Sequence, residues 1–205
     1  MSHRFQSAKT YRYFSISAEK NPKNLLIVMH GYGQLAEYFI RKFNTCPGDF
    51  TILAPEGPHR FYKNGYSGRV GASWMTKEAR EDDIDDNLNW LTEWLTAHLK
   101  ENTYDKIVLL GFSQGGATAA RWYYSQPTLF SHFILWASVF PPDIEKPNKA
   151  IEQSYFVVGD KDEFLTNDLL EKELVVYQKL GFETIHYEGN HDIEPNALNS
   201  LLKRI

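Results

Sequence analysis

Residues 107–116 read IVLLGFSQGG, and within them Gly111-Phe112-Ser113-Gln114-Gly115 is a G-x-S-x-G pentapeptide. It lies between an apolar run that reads as a buried strand (106–112) and a segment that reads as a helix (113–126). A serine on so sharp a strand-to-helix turn is pressed into an unfavourable backbone conformation, and the flanking glycines leave room for neighbouring elements. The turn pushes Oγ clear of the sheet and sets the first helical N–H groups beneath it, where a developing oxyanion would be stabilised. The chemistry implied is attack of Ser113 on a carbonyl carbon. Free serine is a poor nucleophile at neutral pH, so it needs a base, and the base needs an orienting group. On this kind of sheet the order is serine, acid, histidine, at the ends of successive strands. The acid candidates are Asp160, Asp162 and Glu163 in VVGDKDEF, and spacing alone does not separate Asp160 from Asp162. Of the histidines in ETIHYEGNHDI, His186 lies inside an alternating strand and His191 just past its end. His191 is the expected base, because a loop can hang its imidazole over the serine.

An oxyanion hole needs a second backbone N–H from the loop after an earlier strand. MHGYGQ (29–34) supplies one, with Gly31 and Gly33 allowing close approach and Tyr32 able to aim its N–H at the reacting carbonyl. The N–H of Gln114 is the other expected donor, and His30 reads as a brace for the loop. A metal-dependent alternative would use His186, His191 and Asp192. Nothing in a strand that enters a loop makes those three converge on one ion, so neither a metal nor another cofactor is expected.

Elements able to position these groups recur along the chain. Strands are expected at 11–17, 24–30, 50–55, 106–112, 132–138, 154–160 and 182–189, and helices at 34–43, 113–126, 164–180 and 195–205. Between them, Ile84, Leu88, Leu91, Leu95 and Leu99 recur on one helical face, with Thr76 as the expected N-cap and Glu78, Glu81, Asp82 and Asp83 beside the positive dipole end. Residues 57–74 read as one long irregular loop. Alternating strands and helices imply an α/β fold, a mainly parallel sheet with helices on both faces, whose ligands bind at the carboxyl ends of the strands. That rule selects the loops after His30, Leu110, Val158 and Tyr187.

The 205 residues fit a single domain, 1–205, with no repeat or linker. The net charge of −4, with lysines and arginines scattered among carboxylates, argues against a nucleic-acid partner. Cys46 is the only cysteine, which suits a reducing compartment. The start of the chain has no apolar signal region and no run approaches a membrane span, so a cytoplasmic protein is expected. Oligomeric state is left open, a homodimer included.

In this order and over so short a chain, HGYG, GFSQGG, GDKDEF and EGNHDI resemble the phospholipase/carboxylesterase family of small α/β-hydrolases, from about residue 24 onward. The family includes acyl-protein thioesterases and bacterial carboxylesterases. The resemblance implies an α/β-hydrolase fold with little or no lid, no cofactor and a small-molecule ester substrate. It implies Ser113 as nucleophile, His191 as base, Asp162 as the acid (the fourth residue of G-x-x-D) and the N–H groups of Tyr32 and Gln114 as oxyanion donors. It also makes Trp74 in ASWM a substrate contact. Phe61, Tyr62 and Tyr66 are further pocket candidates, and all four aromatics either wall an apolar slot or pack beneath the loop. The chain has Tyr32 where the family more often has leucine, and Met75 and Thr76 where phenylalanine and aspartate are usual. These departures fall on the substrate side and leave ester hydrolysis, rather than long-chain acyl-protein thioester cleavage, as the expected reaction.

Overall fold

The computed structural model describes residues 3–17, 22–144, 153–165 and 167–205. The elements in chain order are β1 (Tyr13–Ser17), β2 (Asn24–Met29), α1 (Ala36–Phe39) with a 3₁₀ turn (Ile40–Phe43), β3 (Phe50–Pro55), β4 (His59–Tyr62), β5 (Val70–Ser73) and α2 (Arg80–Glu101). Then come β6 (Lys106–Phe112), α3 (Gln114–Ser125), β7 (His132–Trp136), β8 (Ser154–Gly159), α4 (Asn167–Lys179), β9 (Glu183–Tyr187) and α5 (Pro195–Leu202). Seven strands form one sheet in the order β1-β3-β2-β6-β7-β8-β9, parallel throughout except for β1, which pairs antiparallel with β3.

Alternation along β2 explains why helices cover both faces. Leu25, Ile27 and Met29 share a core with Leu91 and Leu95 of α2, Trp122 of α3 and Tyr177 of α4. Leu26 and Val28 point the other way, into a core with Phe39 and Phe43 beside α1 and Leu198 and Leu201 of α5. The sheet is mainly parallel with helices on both faces, as the alternation of strands and helices implied. The chain runs outward from β2 to β3 and later continues from the other side of β2 at β6, so the topological reversal lies between β2 and β6. The crevice beyond their carboxyl ends is the expected ligand position.

Three local expectations need correction. Residues 57–74 are not irregular: β4 and β5 form an antiparallel hairpin, Tyr62 opposite Val70 and His59 opposite Ser73. The expected helix over 34–43 is one α-turn followed by a 3₁₀ turn. Thr76 does not cap α2, because its Oγ1 accepts from the Glu78 N–H and closes a local turn; the helix starts at Arg80, after a left-handed Ala79. Glu81, Asp82 and Asp83 still occupy the first turn, where the dipole favours them. Among the described residues no helix is long and apolar enough to cross a membrane.

Candidate active site

Ser113 stands between β6 and α3 with φ 52 and ψ −123, a backbone state that L-residues adopt only at a cost of roughly 1–3 kcal/mol. Packing on every side holds it there. Its N–H donates to Trp136 O at 3.0 Å, and its carbonyl accepts from the Gly116 N–H and the Ser138 hydroxyl, both at 2.9 Å. The neighbouring glycines are a matter of space. A Cβ on Gly115 would lie 2.4 Å from His30 O, and one on Gly111 would lie 2.5 Å from Gly116 Cα. α3 can therefore start directly against the ends of β2 and β6, and Ser113 ends up at the N-terminus of a three-turn helix.

The loops after β8 and β9 are tied together by backbone bonds. The N–H of Asp160 donates to Tyr187 O at 3.0 Å, that of Lys161 to Gly189 O at 2.9 Å, and the Gly189 N–H donates to Asp160 Oδ1 at 2.9 Å. Asp160 is thus the latch of the turn. Asp162, two residues on, is turned inward and buried, with Oδ2 2.7 Å from His191 Nδ1. Its Oδ1 accepts from the N–H groups of Phe164 and Leu165 at 2.9 and 3.2 Å. A carboxylate only accepts, so Nδ1 carries the proton and Nε2 is left as the basic nitrogen. The imidazole sits between the Phe112 and Phe164 rings, with centroids at 4.9 and 4.7 Å. Asp192 holds the far end of this loop, pairing with Lys42 at 2.6 Å and accepting from Trp136 Nε1 at 2.8 Å through its carbonyl. His186 is exposed on β9 and Glu163 is exposed beyond the turn. Of the residues weighed as metal ligands, His191 faces Asp162, Asp192 faces Lys42, and His186 faces solvent.

The loop after β2 is braced by His30, which is fully buried. Its Nε2 accepts from the Gly57 N–H at 2.9 Å, so its proton is on Nδ1, which donates to Gly31 O at 2.8 Å. Burial pushes this imidazole down to about 4, so it is neutral near pH 7. The Gly31 N–H is taken by Gln34 Oε1 at 3.0 Å, and the Gly33 N–H by Ala72 O at 2.9 Å. Among the described residues the N–H groups of Tyr32 and Gln114 find no acceptor.

Ser113, His191, Tyr32 and Gln114 line one cleft of ≈ 380 Å³, joined by Val139 and Phe164. Phe164 is 64% exposed and Tyr32 62%, so apolar surface rims the opening. The other pocket candidates are not brought to it. Trp74 is 0% exposed: its Nε1 donates to His30 O at 2.8 Å and its ring lies 5.1 Å from the His30 ring. Phe61 stacks on Tyr32 at 5.2 Å, while Tyr62 and Tyr66 project outward, Tyr66 at 97% exposure.

Two contributions escaped sequence reasoning. Ser138 and Val139 follow β7, whose carboxyl end obeys the same rule that selected the other loops. The side chain of Gln114 fastens residues 73–75 to the turn: Nε2 donates to Met75 O at 3.0 Å and Oε1 accepts from the Trp74 N–H at 3.2 Å. No sequence signal marks that bond.

The phospholipase/carboxylesterase family model matches residues 12–205. Among curated proteins, a probable 1-acylglycerol-3-phosphate O-acyltransferase of Oryza sativa subsp. japonica is 26% identical over 121 residues, which is 59% of this chain and 26% of that protein. The chain spans about a quarter of the length of the curated relatives it matches. Among solved structures, the Bacillus cereus carboxylesterase superposes with a TM-score of 0.71 at 16% identity, covering 95% of this chain and 92% of that one. Acyl-protein thioesterase 2 of Zea mays gives a TM-score of 0.71 at 15% identity, covering 94% and 96%.

Proposed function

Because the chain belongs to the phospholipase/carboxylesterase family, we propose that it is a serine hydrolase cleaving carboxylic esters of short to medium acyl chain through an acyl-enzyme. The observation that carries this reading is the meeting, in one cleft, of a serine on a strained helix-start turn with a histidine already bonded to a buried carboxylate. In the forward half-reaction Ser113 Oγ attacks the ester carbonyl as His191 Nε2 takes its proton. Asp162 keeps the imidazole in the tautomer this requires and stabilises its positive charge. The tetrahedral oxyanion is met by the N–H groups of Tyr32 and Gln114, which find no acceptor among the described residues. His191 then protonates the leaving alcohol, and water repeats the sequence to release the acid and free Ser113. The apolar rim of Tyr32, Val139 and Phe164 suits an acyl chain of modest length.

The test is intact mass after exposure to a fluorophosphonate, on wild type and Ser113→Ala in parallel. One adduct on wild type and none on the variant, together with loss of ester turnover in a variant whose circular dichroism is unchanged, is the expected result. A folded wild type that takes no adduct would overturn the reading and favour a hydrolase fold that only binds. A panel of ester, thioester and amide substrates then separates an esterase from a thioesterase or lysophospholipase using the same groups.

A further inference from the structure

On the far side of the Gly31–Gln34 loop lies a second depression, of ≈ 670 Å³, and Gln34 lines both it and the cleft. Lys42, Lys63, Arg69 and Tyr38 are among its walls, and among the described residues no carboxylate lines it, although the chain as a whole carries a charge of −4. Arg4, Arg12, Arg41, Arg60, Arg80, Arg121 and Arg204 each meet a carboxylate. Among the described residues Arg69 is the one arginine that does not, and the Lys63 ammonium has no acidic partner either.

These two cations are held in place by the hairpin. The Lys63 N–H donates to Arg69 O at 2.8 Å, setting the two residues opposite each other just beyond the Tyr62–Val70 pair. By strand alternation Lys63 shares a face with Phe61, whose ring stacks on Tyr32. The Lys63 Nζ lies 3.7 Å from where a Cβ on Gly33 would stand. The hairpin is bound to the cleft loop by Gly33 N–H to Ala72 O at 2.9 Å and Ala72 N–H to Gln34 O at 3.1 Å. Like charges set opposite one another on a strand pair repel. Here nothing in the described chain neutralises them, and an acidic ligand would.

We infer that this groove binds an anionic group, a carboxylate or a phosphate, carried by the ester substrate, and so sets charged esters above neutral ones. The inference rests on the hydrolase reading for its place in turnover, and it rests on Lys63 and Arg69 alone, because Lys42 is already paired with Asp192. Two matched substrate pairs distinguish the sources of the anion. Comparing 1-butyrylglycerol with 1-butyrylglycerol 3-phosphate places a phosphate on the alcohol, and comparing 4-nitrophenyl pentanoate with 4-nitrophenyl hydrogen glutarate places a carboxylate on the acyl side.

For at least one pair, the kcat/KM ratio of charged to neutral ester is expected to exceed one by about tenfold at low salt, two partly screened ion pairs being enough for that. It should fall towards one in Lys63→Gln/Arg69→Gln and in wild type as sodium chloride is added. Ratios near one for both pairs in wild type, or a preference that the double variant keeps, would overturn the inference. If neither pair is hydrolysed, the hydrolase reading fails by itself. Calorimetric titration with glycerol 3-phosphate and with glutarate then decides the groove: binding that the double variant removes supports it, and no binding to wild type overturns it.

Discussion

The two sides of the cleft are made in different ways. Ser113, Asp162 and His191 each stand just past the end of a parallel strand of the central sheet, so the sheet itself fixes their separation. The 57–74 segment instead forms a hairpin outside that sheet, attached to it through Gly33, Gln34 and a few side chains. In the proposed mechanism, the groups that would have to hold a reaction geometry within fractions of an ångström are on the rigid side. Groups that would recognise the rest of the ligand are on the appended side, where sequence can change without disturbing the sheet.

Substitutions on the two sides should therefore separate by size of effect. The largest is expected for Asp162→Asn, which keeps the shape but loses the charge and the required tautomer. Turnover of a 4-nitrophenyl ester should fall by roughly 10⁴-fold, with the melting temperature nearly unchanged. A loss below tenfold would remove Asp162 from the mechanism.

Next comes the joint between the two sides, His30, whose Nε2 accepts from Gly57 at the start of the hairpin segment. Burial lowers its pKa from 6.5 to about 4, so the unfolded chain takes up the proton first as pH falls. Its contribution to stability is complete above pH 6.5 and is lost as pH drops through about 4, amounting to about 3 kcal/mol over that window. Denaturant midpoints at pH 7.5 and 4.5, for wild type and His30→Asn, check this. The variant should show a smaller drop between the two pH values.

Within the hairpin the expected effects are smaller and graded by contact. A Cβ on Gly71 would lie 2.6 Å from Gly33 O, so Gly71→Ala must lift the hairpin from the loop at a cost of about 1–3 kcal/mol. Tyr66→Ala, at the open tip, should stay within about 0.5 kcal/mol. Thermal melts of both rank them, and equal losses would contradict the attachment described here.

The same division governs what could be read from the sequence. β2, β6 and β8 are buried on both faces, and continuous apolar runs betray such strands whatever their partners. The Ser113 turn is legible because its glycines and serine act within five residues. Choosing Asp162 over Asp160 by spacing was not possible: one carboxylate latches Gly189 and the other meets His191, a difference set by how the turn after Gly159 is folded against β9. The hairpin was illegible because β5 is Val-Gly-Ala-Ser, with too little side chain to show an alternation. For Trp74 the sequence left pocket wall and core packing both open, and the structure buries it in the core with Nε1 bonded to His30 O, a residue 44 places away in sequence.

The backbone latch between the loops after β8 and β9 bears on how the site would be lost. With Asp160, Lys161 and Gly189 joined, Asp162 and His191 ride on one cooperative unit. An opening that frees His191 must also free Asp162, so amide hydrogens of 160–162 and 189–191 should exchange with a common free energy. On partial denaturation such a site fails all at once, with no interval in which a misaligned imidazole still works at reduced rate.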